Sequence, residues 1–398
     1  MIVLGTGGVG KTTVTAALGI AGAIQNLDTA LITVDPARRL RDALGLKRLG
    51  GRPTRLARAH LASAGLAPSL KLSAMQLDVK GAWDMMAERF APDAATRKRI
   101  LENPFYERLT AEFAGAEAFA ALQQLYDLHE TGSFDLKIVD TPPAAHAFEF
   151  LEAPARYTRL LDSRAARWIF TPSLSAGRIA VKLASQAARF VVRELERFAG
   201  GRVLSSVSDF FAAAAESVDA VVDQLRKTEA LMRSDAVRFV MVTTPDTDRL
   251  AQARELIREM KADGLALSAI VINRFLTERS LRDSMRDSGA FAYLDEIESL
   301  ERTTAGEGGP GKVVKSLARH RAATLDAIAR VAEFARGLPA EIELSVAPEL
   351  GVEGLHDLAA LRRIAEFIMS GIDVARIVEM VNAPAAHRPR SRRAAAQH

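Results

Sequence analysis

Nine residues near the start of the chain, Gly5-Thr6-Gly7-Gly8-Val9-Gly10-Lys11-Thr12-Thr13, constrain the fold more than any other feature. They satisfy G-x-x-x-x-G-K-[ST] at every fixed position. A short apolar run, Ile2 to Leu4, precedes them and an Ala-rich stretch comes after, so the pattern lies between a predicted strand and a predicted helix. Glycines let backbone N–H groups wrap a polyphosphate, and a helix N-terminus adds positive potential. Lys11 then reaches the β/γ-phosphates and the Thr12 hydroxyl suits Mg²⁺. Gly7, Gly8, Val9, Gly10, Lys11, Thr12 and Thr13 are therefore the candidate nucleotide-binding residues. The implied ligand is a nucleoside triphosphate with Mg²⁺.

Composition narrows the remaining classes. The chain has 398 residues, 48% of them hydrophobic and 26% charged, as expected of a globular protein. Four arginines in the last sixteen residues account for the whole net charge of +4; without them 49 basic residues face 49 acidic ones. A body without basic excess points away from nucleic acid. There are no cysteines, which excludes disulfides, thiolate zinc sites, iron–sulfur clusters and thiol capture of a metalloid. No apolar run of about 18 residues and no leader-peptide pattern is present, so a cytoplasmic protein is expected.

Downstream, short apolar runs alternate with helical periodicity. A helix is predicted from Thr12 to about Gln25, and a buried strand, Thr29 to Val34, ends at Asp35-Pro36. Further strands are expected at Leu70 to Asp78, Asp135 to Val139, Arg238 to Thr243, Leu267 to Ile272 and Ile342 to Val346. A helix from about Asp248 to Lys261 separates two of them. This alternation implies an α/β fold with a mostly parallel, doubly wound sheet.

No strand signal occurs between Leu151 and Ser234. With the helical residues 81–132, interrupted at Gly115, residues 151–234 read as a helical subdomain inserted into a single domain spanning 1–382. Its apolar residues, among them Phe190, Val191, Phe210, Phe211, Val222 and Leu225, either pack helix on helix or line a groove for a client segment. Between Leu151 and Ser234 only Met232 supplies methionine, beside Met85 and Met86 earlier, which favours plain packing. Gly306 to Val313 repeats the G-x-x-x-x-G-K spacing but lacks the hydroxyl, sets Glu307 against phosphate and comes after no strand, so a loop is expected. Residues 383–398 read as a disordered basic tail.

Hydrolysis needs a carboxylate near the metal and a group that orients water. Asp140 and Asp35 each end an apolar strand, where α/β sheets bind ligands. Asp140 is the candidate metal-side carboxylate, and Asp35 the candidate to orient or deprotonate the attacking water. Each has a turn or capping role as its alternative, yet two such residues beside a glycine loop favour chemistry. His146 has no second histidine at ligand spacing, and no Ser or Cys nucleophile elbow is present.

The glycine loop, Asp35-Pro36-Ala37, Asp140-Thr-Pro-Pro-Ala-Ala-His146, Thr243-Thr244-Pro245, Val271-Ile272-Asn273-Arg274 and Pro348-Glu349-Leu350-Gly351-Val352 together resemble the ArsA family of P-loop ATPases. That family includes arsenite-pump ATPases and the ATPases that deliver tail-anchored membrane proteins. The likeness runs from the first loop to about Leu361. It implies that Lys11 holds the phosphates, Thr12 ligates Mg²⁺, Asp35 positions the water in a first switch and Asp140 lies in a second. It further implies that Asn273, with Arg274 beside it, reads the adenine edge while the loop at Pro348 closes over the base. Guanine-specific relatives place an Asp shortly after an Asn-Lys or Thr-Lys pair. Phe275-Leu276 stands here instead, which favours ATP over GTP. A homodimer with facing nucleotide sites is also implied.

Three departures from the family pattern stand out. Thr6 occupies the place of a signature lysine that reaches the partner's nucleotide, both sets of family cysteines are missing, and Ala145 replaces a usual glycine. A basic run lies after Asp35, comprising Arg38, Arg39, Arg41, Lys47, Arg48, Arg52, Arg55 and Arg58 against Asp42. It reads as a solvated face, with Arg38 or Arg39 as a candidate replacement for the lysine. The expected activity is ATP hydrolysis that switches the helical subdomain to carry hydrophobic protein segments. Its alternatives are energising a membrane anion pump, and a nucleotide-gated scaffold with little hydrolysis.

Overall fold

The computed structural model describes residues 1–34, 39–112, 116–141, 147–162, 204–277, 281–282, 291–304, 311–350, 357–371 and 374–382. Asp35, Arg38, Gly115, Ala145, His146, Phe190, Val191 and the 383–398 tail lie outside them.

Eight strands form one sheet: β1 (Ile2–Gly5), β2 (Thr29–Thr33), β3 (Thr54–Arg55), β4 (Leu72–Gln76), β5 (Leu136–Asp140), β6 (Phe239–Thr243), β7 (Leu267–Ile272) and β8 (Glu343–Val346). Their spatial order is β3-β4-β2-β5-β1-β6-β7-β8. All neighbours run parallel except β3 and β4. The mostly parallel, doubly wound α/β fold expected from the alternation is therefore present. β1 sits centrally, and the chain winds outward from it in both directions. Such a reversal of strand order opens a crevice at the carboxyl ends of the strands.

Period-two alternation sorts the strands' side chains onto two covered faces. Ile2, Leu4, Ile32, Val139, Phe239, Met241 and Ile272 belong to one apolar core. Val3, Leu31, Ile138, Val240, Val242 and Val271 belong to the other. Helix α1 (Lys11–Ile24) covers the second face together with the helix Leu358–Met369. Small residues let α1 sit close to the sheet: a Cβ on Gly19 would stand 2.5 Å from Leu31 Cδ2. Burial of this continuous Ala-rich face, rather than caps, secures the helix.

The helical residues divide by the core they enter. Ala116–Glu130, Ala147–Asp162 and Val218–Met232 contribute Leu122, Leu125, Tyr157, Leu225 and Met232 to the sheet's first core. Ala94–Leu101, Pro104–Glu112 and Leu204–Ala214 instead close a separate cluster of Ile100, Phe105, Tyr106, Phe210 and Ala213. Among the described residues, part of the helical region thus belongs to the sheet's covering layer, Val79–Phe90 included through Ala82 and Met86. Val222 and Leu225 are buried helix-packing residues, as is Phe210.

Two features differ from the sequence expectations. β3 has only two residues, both exposed, and exists through its antiparallel register with Ser73 and Ala74. The expected loop ending at Val313 opens a 25-residue helix at Lys312, capped by Gly311. Apolar residues Ala327, Ile328, Val331 and Phe334 on its buried face outweigh the glycine-rich approach. Residues 305–310 of that segment lie outside the described ones.

Candidate nucleotide site at the carboxyl edge of the sheet

Sheet topology brings residues from across the chain to one edge. The glycine loop leaves β1, Asp140 ends β5, Thr243 ends β6, Asn273 comes after β7 and Pro348 after β8. Asp35 would come after β2 and its neighbour Val34, but lies outside the described residues.

The loop's geometry suits an anion. Gly8 and Gly10 adopt φ of 81° and 87°, a left-handed conformation that favours glycine. Gly10 is also the N-cap of α1, so no side chain caps the helix, and its first turn carries no acid. Its leading N–H groups and positive end therefore face the loop. Lys11 is only 8% exposed. Its Nζ donates to the Gly5 carbonyl at 2.9 Å and to the Thr6 carbonyl at 3.3 Å. Among the described residues the buried Thr6 hydroxyl has no hydrogen-bond partner.

Asp140 is 1% exposed and collects hydroxyls from two elements, α1 and β2. Thr12 Oγ1 donates to Oδ2 at 2.7 Å. Thr15 Oγ1, one turn along α1, lies 3.5 Å from Oδ1, and Thr33 Oγ1 at the end of β2 lies 3.5 Å from Oδ2. Thr141 Oγ1 donates to the Val3 carbonyl at 2.7 Å, tying the next residue to the central strand. A hydroxyl beside a carboxylate is a hard-oxygen donor pair of the type Mg²⁺ takes alongside phosphate and water. Among the described residues no group of three His, Asp or Glu could hold a metal by itself. The residues present fit Mg²⁺ delivered with a nucleotide.

Asn273 is 4% exposed and its Nδ2 donates to the Val9 carbonyl at 2.8 Å. Its own N–H donates to the Thr243 carbonyl at 2.8 Å. Arg274 beside it is exposed and held at φ 56°. Pro348 is buried, and the backbone on either side of it is tied to the Asn273 strand end. Phe275 N–H donates to the Ala347 carbonyl at 3.1 Å, and Glu349 N–H to the Leu276 carbonyl at 2.8 Å. The structure thus brings the glycine loop, Asn273 and the Pro348 segment together.

Two contributors escaped sequence reasoning. Thr15 was accessible, being one helical turn from Thr12 and on the same face. Thr33 was not, because its place opposite Asp140 depends on the β2–β5 register. In the basic run, Arg41 pairs with Asp42 and Arg55 with Asp28, at 2.8 and 2.9 Å respectively. Lys47, Arg48, Arg52 and Arg58 are exposed, as is Arg39 at the start of the helix Arg39–Ala43.

Residues 1–302 match the profile of the family described as anion-transporting ATPase, ArsA. The ATPase get3 of Aspergillus terreus is 24% identical over 302 residues, covering 74% of this chain and 80% of that protein. The ATPase ARSA1 of Chlamydomonas reinhardtii is 23% identical over 322 residues, covering 76% of this chain but 38% of that longer protein. A putative arsenical pump-driving ATPase of Prosthecochloris vibrioformis is 23% identical over 310 residues, covering 76% of this chain and 65% of its own. With the family match running through the glycine loop, Asp140 and Asn273, the chain belongs to the ArsA ATPase family and is an ATPase.

Proposed function

We propose that the Gly5–Thr13 loop binds MgATP and that water attacks the γ-phosphate in line, releasing ADP and phosphate. The observation that carries this reading is the 2.7 Å contact between Thr12 Oγ1 and the buried Asp140 carboxylate, directly beside the uncapped start of α1. Backbone N–H groups and Lys11 would hold the β/γ-phosphates, and Thr12 and Asp140 would hold the Mg²⁺ that comes with them. Mg²⁺ held there would supply charge neutralisation to the phosphoryl transfer. Asp35 orients the attacking water and receives its proton. With Asn273 Nδ2 engaged by Val9, Oδ1 remains to accept from the 6-amino group of adenine. Guanine presents an oxygen acceptor at the same place, so ATP is preferred over GTP.

Phosphate release tests the site. Turnover is lost in Lys11→Ala and falls sharply in Asp35→Asn while ATP still binds; hydrolysis retained in both variants overturns the assignment.

The nucleotide state is read by the helical region within a single domain spanning 1–382. Ala147–Asp162 begins shortly after Asp140, packs against Val218–Met232 and is joined to it by an Asp162–Arg226 ion pair of 2.5 Å. We assign the moving surface to an apolar protein segment as client, carried by a cytoplasmic homodimer. The expected result is ATP-dependent retention in solution of a single apolar helix of about 20 residues. Equal retention with and without nucleotide removes the client assignment, and sedimentation showing only monomer with MgATP removes the dimer. Energising an anion pump is the second reading, favoured by the name of the Prosthecochloris relative. The absence of cysteine takes thiol capture of arsenite out of that reading.

A further inference from the structure

One bond in the candidate site serves neither phosphate nor base directly. Asn273 Nδ2 donates to the Val9 carbonyl across 264 residues of sequence, at 2.8 Å in a buried setting. A carbonyl oxygen only accepts, so the amide nitrogen must face it. Both partners are rigidly based. Asn273 is anchored through its own N–H to the end of β6, and Val9 is 1% exposed. Gly10 completes the fit, since a Cβ at that position would overlap Asn273 Nδ2.

Peptide geometry gives this bond a consequence. No peptide bond among the described residues is cis, so the Val9 C=O and the Gly10 N–H point in opposite directions from one plane. Tying the oxygen to Asn273 aims the Gly10 N–H away from β7. On the ATP-binding reading above, on which this inference rests, that direction is toward the triphosphate. We infer that Asn273 is a positioning residue for the phosphate cradle, holding the Val9–Gly10 peptide in its anion-binding orientation whatever base is attached. A residue that only reads adenine would leave phosphate affinity untouched. A residue that holds the loop changes the affinity of every triphosphate.

Calorimetric titration of the full chain with MgATP, MgGTP and magnesium tripolyphosphate separates the two roles. Asn273→Ala is expected to weaken tripolyphosphate and GTP by about tenfold, the worth of one buried hydrogen bond, and ATP by at least as much. Asn273→Asp keeps the side chain's volume while removing the obligatory donor, and serves if the alanine variant does not fold. Thermal melting confirms that the titrated variants are folded. Unchanged tripolyphosphate affinity in a folded variant, or a loss confined to ATP, overturns the inference while leaving the ATP-binding reading intact. A wild-type chain that binds none of the three ligands overturns both.

Discussion

The Asp140 end of the sheet and the Phe105–Phe210 cluster are both buried, and they are built on opposite principles. Around Asp140, hydroxyls from α1 and β2 converge on one carboxylate at the end of β5, and Lys11 lies close by at 8% exposure. Each of those contacts depends on one pair of atoms. In the helical cluster, Phe105 meets Phe210 edge-on at 5.3 Å and 62°, and Phe211 at 5.8 Å. There the stabilisation comes from apolar area and ring contact, which depend on volume more than on any single atom. Changes at the sheet edge should therefore alter chemistry and leave the fold standing. Changes in the cluster should do the reverse.

The largest effect expected is on turnover. Lys11→Ala should slow phosphate release by at least about a thousandfold, ~4 kcal/mol in the barrier, with little change in melting temperature. Next, Phe210→Ala should cost about 3 kcal/mol, read as lost amide protection across Ala94–Leu101, Pro104–Glu112 and Leu204–Ala214. ATP affinity measured on the same variant should stay within a factor of about two, and a larger fall would erase the contrast between the regions. Asp140→Asn should raise the Mg²⁺ concentration needed for half-maximal turnover by about tenfold or more. An unchanged Mg²⁺ dependence would remove Asp140 from the metal side.

The smallest effect concerns Tyr106, whose hydroxyl donates to Asp84 Oδ1 at 3.0 Å. Burial, and then the Asp84 charge, push this phenol above its ordinary pKa of 10.0. The folded state therefore keeps a proton that the unfolded chain releases. The resulting stability is complete below about pH 10 and declines above it. Tyr106→Phe should cost about 1 kcal/mol at neutral pH and flatten that alkaline decline. A melting profile from neutral to strongly alkaline pH that matches wild type would place the alkaline loss elsewhere.

How much of this was legible varied with the range of the interaction concerned. The glycine loop could be read outright because its backbone needs are local: left-handed turns at Gly8 and Gly10, then a helix start. Parallel strands could be read because burial on both faces makes them continuously apolar, as in Phe239–Thr243. β3 could not, since two exposed residues carry no periodicity. The long helix Lys312–Arg336 was obscured by the glycines before it, a punctuation signal that carries no information about the residues beyond it. Dividing the helical region between two cores was equally out of reach, because an apolar stripe such as that of Val218–Met232 carries no information about which surface it meets.

By itself the sequence determined the glycine loop and the helix start after it, the α/β class and the family, all of which rest on short stretches whose chemistry is complete within a few residues. Only the tertiary structure decided that Thr33 faces Asp140, that Asn273 holds Val9, and that the Pro348 segment lies alongside the end of β7. Those contacts join residues far apart in the chain. Strand order and register set them, and a linear chain does not display either until its sheet is assembled.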